Sequence, residues 1–163
     1  MKRIGILSDT HGLFDAPLRN FFAEVDEIWH AGDIGSIELA DRIAAFKPLH
    51  AVYGNIDNRT TRLAWSATAR FGCEALTVLM THIGGYPGRY TPAFLRDIEQ
   101  YRPNLIVTGH SHILKVIYDR THDALHINPG AAGKYGFHKV RTAVRLVIDG
   151  RDIRDLEIGE WPK

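Results

Sequence analysis

One recurring pattern constrains the fold of this chain more than any other: a short apolar run that stops at a polar turn. The first run, Ile4–Leu7, is apolar on consecutive positions, which is typical of a strand buried on both faces. It stops at Ser8, and Asp9 and His11 follow two residues apart, so an extended backbone would point both the same way. Alone the pair is weak evidence for a site, because turns before helices also use Asp and Thr.

Four later apolar runs stop in the same way. The residues at these ends are Asp33, Asn55, His82, and His110 with His112. Turns after strands favour Asp, Asn and Gly in any protein, so each residue by itself has an ordinary structural explanation. In open α/β sheets, however, ligands bind beyond the carboxyl ends of the strands. We therefore expect all seven side chains to meet at one edge, although more than a hundred residues separate the first from the last.

Composition limits the classes of function. The chain has 163 residues, of which 45% are hydrophobic, and this predicts a single domain over residues 1–163 with a substantial core. The formal net charge of +1 gives no bulk field, so we expect neither long nucleic acid nor a membrane as a partner. Cys73 is the only cysteine, which excludes an intrachain disulfide. No signal peptide or membrane span is recognisable, and a cytoplasmic location is the expectation.

The first half of the chain predicts a β-α-β-α-β order. Pro17 suits the start of a helix, Ser36 suits the N-cap of a second, and Pro48 ends that second helix. Such an order predicts parallel strands joined by right-handed crossovers. The predicted inner face of the second helix consists of Leu39, Ala40, Ile43 and Ala44.

The second half is richer in strands. A hairpin is predicted over 67–80, a helix begins at Thr91-Pro92, and a buried strand covers 104–107. From 115 onward the pattern is all β, with a turn signal at Asp149-Gly150. The predicted architecture is two mixed sheets packed face to face, with helices outside.

The seven strand-end residues also predict a kind of metal. Two carboxylates, four imidazoles and one amide form a mixed nitrogen and oxygen set, which suits Mn, Fe, Ni or Zn better than Mg or Ca. Seven ligands are too many for one tetrahedral zinc. They fit two metal ions with one carboxylate shared between them.

The ordered motifs Asp-x-His, Gly-Asp, Gly-Asn, His and Gly-His-x-His resemble those of the calcineurin-like metallophosphoesterases. The spacing is most similar to that of the small YfcE-type phosphodiesterases, and the resemblance covers nearly the whole chain. It implies an α/β fold, a four-layered α/β/β/α sandwich. It also implies two ligand sets: Asp9, His11, Asp33 and His112 for one metal, and Asp33, Asn55, His82 and His110 for the other.

The reaction implied is hydrolysis of a small phosphate ester, such as a nucleotide diester, with Mn as the first choice of metal and Fe, Ni or Zn as alternatives. Two divalent ions ~3.5–4 Å apart can hold a bridging hydroxide as the nucleophile for in-line attack on phosphorus. Two such ions, two carboxylates and one hydroxide leave a net positive site, which favours an anionic ester. Asn55 is expected to contact both a metal and the substrate phosphate.

Two other functions stay open. A phosphomonoesterase would use the same metals, and a retromer subunit uses this fold for protein contacts with a degraded metal site. The complete set of seven ligands favours an enzyme, most of all a phosphodiesterase. The sequence indicates neither the oligomeric state nor the group that protonates the leaving alcohol.

The chain departs from the family pattern at two places. Ile56 stands where many relatives carry a histidine that acts as general acid or phosphate contact, so we expect esters with acidic leaving groups to react best. Many relatives have a His-Gly pair at His82, whereas in this chain Ile83 follows His82 and precedes a glycine-rich segment from Gly84 to Arg89. Arg59 and Arg89 are candidate phosphate contacts.

The remaining residues of interest have structural interpretations. We read His30 as a core histidine, and His138 as lying outside the site. Cys73 is predicted to be inert, and Arg141 with Arg145 to occupy a solvated strand face. His50, His122 and His126 are predicted to be structural or exposed.

Overall fold

Ten strands and four helices make up the computed structural model, which describes residues 1–163. In chain order the elements are β1 (Lys2–Leu7), α1 (Ala16–Phe21), β2 (Glu27–His30), α2 (Ile37–Phe46), β3 (Leu49–Ala51), α3 (Arg59–Ala64), β4 (Thr68–Cys73), β5 (Leu76–Thr81), α4 (Pro92–Tyr101), β6 (Leu105–Val107), β7 (Leu114–Asp119), β8 (Ala124–Pro129), β9 (Val140–Asp149) and β10 (Asp152–Pro162).

The strands form two five-stranded sheets, in the orders β10-β9-β1-β2-β3 and β4-β5-β6-β8-β7. In the first sheet β1, β2 and β3 are parallel, whereas β9 is antiparallel to both β1 and β10. In the second sheet β5, β6 and β8 are parallel, and β4 and β7 join the two edges antiparallel. Both sheets are therefore mixed, as the sequence predicts.

Three apolar clusters separate four layers. The largest lies between the sheets and contains Ile4 and Trp29 from the first and Met80 and Val107 from the second. A second cluster packs α1 and α2 on the first sheet, and a third packs α4 on the second sheet. The order of layers is thus α/β/β/α, which confirms the predicted fold class.

The predicted helix starts at Ser36 and Thr91 are confirmed by their side-chain caps. Ser36 Oγ accepts a hydrogen bond from Leu39 N at 3.1 Å, and Thr91 Oγ1 accepts one from Phe94 N at 3.4 Å. Leu39, Ala40 and Ile43 are buried, as expected. Ala44 is exposed, so the prediction for that residue is wrong: the buried stripe of α2 is one residue narrower than the sequence spacing suggested.

The topology positions the candidate site. Asp9, Asp33 and Asn55 follow β1, β2 and β3, while His82 and His110 follow β5 and β6. All five strands are parallel members of their sheets, and their carboxyl ends meet at the same edge of the sandwich. None of the helices is both long and apolar enough to cross a membrane.

The prediction that Arg141 and Arg145 form a solvated strand face is wrong. Arg141 is buried, and its guanidinium donates to both carboxylate oxygens of Asp15, at 2.9 and 3.0 Å, and to Ala132 O at 2.7 Å. Arg145 is half-buried and donates to Phe21 O and to Glu157. Both arginines tie β9 to the α1 region, a long-range contact that strand periodicity does not reveal.

His30 and His126 are core histidines with no contact to the candidate ligands. Thr10 Oγ1 lies 2.9 Å from His30 Nε2, and Tyr90 Oη lies 3.0 Å from His126 Nδ1. Burial lowers the pKa of each imidazole to about 4. Both rings are therefore neutral at neutral pH and serve as fixed polar contacts of the core.

This burial predicts a loss of stability in mild acid. In the unfolded chain His126 binds a proton near pH 6.5, but in the folded protein only near pH 4, so its contribution is complete above pH 6.5 and falls as the pH drops toward 4. Between pH 7.5 and 4.5 the metal-free wild type should lose about 2–3 kcal/mol more unfolding free energy than His126→Gln. Urea denaturation of both proteins at the two pH values measures this difference. The contributions of the other titrating groups are the same in both proteins and cancel. Equal losses in the two proteins would contradict it.

Candidate metal centre

The structure brings six of the seven predicted ligands into two adjacent groups. Within each group the candidate ligand atoms all lie within 4.8 Å of one another. The groups are Asp9, His11 and His112, and Asp33, His82 and His110. The family resemblance implies similar sets, but it assigns Asp33 to both of them and adds Asn55 to the second. Because the first group contains residues of both sheets, as does the second, the site lies across the seam of the sandwich.

Asp9 is fully buried and faces the first group. Its Oδ2 accepts from Ser8 Oγ at 2.6 Å and from His110 N at 3.0 Å, whereas Oδ1 lies 3.1 Å from His112 Nε2. Burial raises the pKa of this carboxyl, but the contacts with His112, His82 and Ser8 outweigh it, and the net pKa is lowered. Asp9 is therefore an ionised acceptor with one oxygen turned toward the cluster.

Asp33 faces both groups. Its Oδ2 lies 3.6 Å from His11 Nε2 of the first group, and its Oδ1 lies 3.2 Å from His82 Nε2 of the second. Ile56 N also donates to Oδ1, at 3.1 Å. Burial raises the pKa of Asp33, and His82 with the backbone donor reverses the shift and lowers it. Asp33 therefore turns one oxygen toward each group, whereas Asp9 approaches both through Oδ1 alone, which also lies 3.8 Å from His82 Nε2.

Glycines directly before Asn55 and His110 allow the backbone to pass close to the buried carboxylates. A Cβ on Gly54 would overlap the carboxylate and backbone of Asp33, and a Cβ on Gly109 would overlap Ser8 Oγ. The Gly-Asn and Gly-His pairs of the sequence therefore have a steric cause, since only glycine lets the backbone pass against a buried carboxylate.

Backbone strain is concentrated at the site. Nine non-glycine residues have positive φ, and five of them are candidate ligands, with φ between 46° and 73°. The five are Asp9, His11, Asp33, His110 and His112. Left-handed conformations of such residues cost free energy and persist only where the surroundings enforce them. Here the loops extend the parallel pairing past the strand ends, as in His11 N donating to Asp33 O at 3.0 Å.

The donor atoms fit divalent cations. His11 Nε2 and His82 Nε2 are buried without a hydrogen-bond partner, although each points at a carboxylate. A buried polar atom without a partner is costly, and a cation held between nitrogen and carboxylate would remove that cost. His82 Nδ1 donates to Ala31 O at 2.7 Å, so Nε2 is the nitrogen that faces the carboxylates. Burial lowers the pKa of His82, but Asp33 and Asp9 outweigh it and raise the pKa, and a cation at Nε2 would take the place of that proton. The residues present thus suit metal ions held between them.

His138 lies at the site, contrary to the sequence prediction. Its Nε2 lies 2.8 Å from Gly133 O, which can only accept, so Nε2 carries a proton. Burial lowers the pKa of His138, and the neutral ring then accepts at Nδ1 from His112 Nδ1, 3.2 Å away. His112 Nδ1 consequently donates to His138, and the ring turns Nε2 toward Asp9 Oδ1, an acceptor 3.1 Å away. His138 is a positioning residue that orients a candidate ligand, as second partners of metal-binding histidines do.

Asp57 is a second residue that sequence reasoning missed. Its buried carboxylate accepts from Gly54 N at 2.8 Å, from Gly35 N at 2.9 Å and from Ile34 N at 3.1 Å. These donors come from the loop that carries Asp33 and the loop that carries Asn55. Asp57 therefore fixes the two loops to each other. Its position two residues after the Gly-Asn pair was the available signal.

The other predicted contacts lie at the margin of the site. Asn55 is exposed and lines the pocket of about 640 Å³ over the two groups, next to Ile56. Arg59 and Arg89 are exposed and do not line that pocket. The glycine-rich segment, with Gly84 and Gly85, lines a smaller neighbouring pocket that it shares with His110.

The residues interpreted as structural lie away from the two groups. His50 stacks on Phe71, and His122 Nδ1 lies 2.7 Å from Asp119. Cys73 is buried, and burial raises its pKa to about 11, which makes the thiol unreactive.

Asp57→Asn should loosen the site. The amide keeps the shape but replaces one acceptor oxygen with a donor that faces a backbone N–H, which should cost about 2–3 kcal/mol of unfolding free energy. Zn²⁺ affinity should fall as well, because the two loops are no longer fixed together. Urea unfolding and metal titration measure both effects. Asp26→Asn is the control, since that exposed residue accepts one bond, from Arg3 N, far from the site. Wild-type values for Asp57→Asn would refute this role.

His138→Phe should remove the acceptor of the His112 Nδ1 proton while keeping an aromatic ring in place. In the metal-free wild type at pH 8, long-range proton–nitrogen NMR should show His112 protonated at Nδ1. In the variant Nδ1 loses its acceptor while Nε2 still faces the Asp9 carboxylate, so the proton should move to Nε2, and Zn²⁺ affinity should fall roughly tenfold. His122→Phe, which alters a histidine paired with Asp119, should change neither measurement. A wild-type His112 with a bare Nδ1 would contradict the assignment.

Comparison with known proteins identifies the family. The model of the calcineurin-like phosphoesterase superfamily domain matches residues 1–151. A probable metallophosphoesterase from Methanothermobacter thermautotrophicus is 27% identical over 138 residues, covering 78% of this chain and 76% of that protein.

Solved structures share the fold across the whole chain. Vps29 from Entamoeba histolytica, complexed with Zn²⁺, has a TM-score of 0.72 at 15% identity and covers 98% of both chains. A predicted phosphoesterase from Streptococcus pneumoniae has a TM-score of 0.67 at 19% identity and covers 99% of this chain and 98% of its own. These structures show the fold, and the match over residues 1–151 shows that the chain belongs to the calcineurin-like phosphoesterase superfamily.

Proposed function

We propose that this protein is a phosphodiesterase that uses two divalent metal ions, with Mn²⁺ as the first choice and Fe, Ni or Zn as alternatives. The observation that carries the proposal is the pair of adjacent ligand groups joined by Asp33. Asp9, His11, Asp33 and His112 would hold one ion, and Asp33, Asn55, His82 and His110 the other. When bound, such ions activate water and neutralise charge on phosphoryl oxygens.

The charge of the pocket favours a diester over a monoester. Its wall consists of histidines, one carboxylate, small polar groups and apolar side chains, without any lysine or arginine. A monoester dianion or a long polyanion would find no cationic side chain there to compensate its additional charge. A diester carries a single negative charge on its phosphate, which two ligand-held cations can balance.

The residues around the metal groups have separate tasks. Asn55, exposed on the pocket wall, is placed to donate its amide to a phosphate oxygen. Ile56, beside it, is 46% exposed and offers no proton to a departing alcohol. Aryl esters, whose leaving groups need no proton, should therefore react faster than alkyl esters.

Hydrolysis of bis-p-nitrophenyl phosphate tests the proposal. The protein is stripped with a chelator, reloaded with Mn²⁺ and assayed, and bound metal is counted in the same sample. We expect two ions per chain and a metal-dependent rate that falls by roughly 100-fold or more in Asp33→Asn, because even second partners of ligands cost 10–100-fold. Asp41→Asn, an exposed carboxylate on α2, is the control and should keep the full rate.

The other outcomes separate the alternatives. Two bound ions without diester hydrolysis, but with hydrolysis of p-nitrophenyl phosphate, would identify a phosphomonoesterase. Neither bound metal nor hydrolysis would favour a protein-interaction module. The fold likeness to Vps29 and the exposed apolar residues beside the site support that second candidate.

A further inference from the structure

An exposed apolar wall borders one side of the candidate metal centre. We call Ile56, Ile113, Tyr135 and Phe137 the aromatic rim. Their exposed fractions are 46%, 62% and 73% for the first three, and Phe137 is fully exposed. All four line the same pocket as His11, Asp33, His110 and His112. Large apolar side chains clustered around a concave site mark a place where something apolar binds.

The loop that carries the two aromatic residues is anchored to the site. Gly133 N donates to Asp9 O at 3.1 Å, and His138 Nε2 donates to Gly133 O at 2.8 Å. Gly136, with φ of 130°, packs so closely on His112 that a Cβ there would overlap the imidazole. These contacts hold the segment between Gly133 and His138 on both sides of Tyr135 and Phe137. The backbone that carries Tyr135 and Phe137 is therefore held against the site, which lowers the entropic cost of binding there.

The rim and the candidate ligands are in direct contact. The ring of Tyr135 lies 5.1 Å from that of His11, with an angle of 31° between the planes. If a phosphate lies at the ligand groups, an aromatic ring in one of its ester groups would thus be within reach of the ring of Tyr135. Stacking on such faces tolerates any flat π system, whether a phenyl ring or a nucleobase.

We propose that the aromatic rim binds the aryl or nucleobase part of the diester whose phosphate lies at the two ligand groups. The inference rests on the proposed function and deepens it by naming the substrate class, a phosphodiester in which at least one ester group carries an aromatic ring. The pocket supports this in two ways. Its volume of about 640 Å³ lies within the range of small-molecule sites, and its walls offer apolar contacts without any lysine or arginine side chain. A protein segment covering the rim is the competing occupant.

Binding of two slowly hydrolysed diesters tests the rim without relying on turnover. Diphenyl and diethyl phosphate carry the same charge and differ only in their aromatic groups. Calorimetric titration of the Zn²⁺-loaded wild type should show diphenyl phosphate binding at least about fivefold more tightly. The double variant Tyr135→Ala with Phe137→Ala should lose most of this preference and keep its affinity for diethyl phosphate. Val116→Ala with Ile117→Ala, exposed on β7 outside the pocket, is the control and should keep the preference.

The outcomes distinguish this inference from the proposed function. If the double variant keeps the full preference while bis-p-nitrophenyl phosphate is hydrolysed, the rim assignment is overturned and the phosphodiesterase stands. If the preference depends on the rim but no diester is hydrolysed, the rim assignment stands and the proposed reaction fails. If the wild type shows no preference, the rim does not bind aromatic groups and the inference is overturned.

Discussion

Two buried carboxylates at the seam between the sheets are the constraint on which the rest of the structure depends. Asp9 is fully buried and Asp33 is 3% exposed, yet the pKa of each is lowered. The cost of removing an ionised carboxylate from water must be offset by hydrogen bonds and nearby positive charge. Backbone N–H groups and imidazoles from both sheets supply them. Three features bring those partners to the carboxylates. They are the closely packed glycines, the backbone positions with positive φ, and the two loops that Asp57 holds together.

The fold was predictable because it follows from local pattern. Apolar runs of strand length, N-caps such as Ser36 and Thr91, and the turn at Asp149-Gly150 are all short-range signals, and each is confirmed by the structure. The helix α3 was not predicted, since its six residues carry no apolar stripe and depend on the Asn58 cap. Arg141 was misplaced because its partner Asp15 lies 126 residues away, a distance at which strand periodicity carries no information.

The candidate site was predictable for a different reason. Parallel strands deliver their carboxyl ends to one edge, so the position of a ligand in the fold follows from its position at a strand end. The residues that orient the ligands are not subject to this rule. His138 precedes β9, an antiparallel strand, and reaches the site only because the loop before it folds back over Asp9. The aromatic rim was missed likewise, since Tyr135 and Phe137 lie in that same loop.

The imidazoles of the site are oriented in a way that a purely structural role does not explain. A site kept only for stability would be expected to pair its buried nitrogens, because unpaired ones cost free energy. Here the Nε2 atoms of His11 and His82 are left without hydrogen-bond partners. Backbone oxygen fixes the ring of His82, and His138 fixes that of His112, so that both present Nε2 to a carboxylate. The chain thus maintains a costly arrangement whose cost cations held between these nitrogens and the carboxylates would remove.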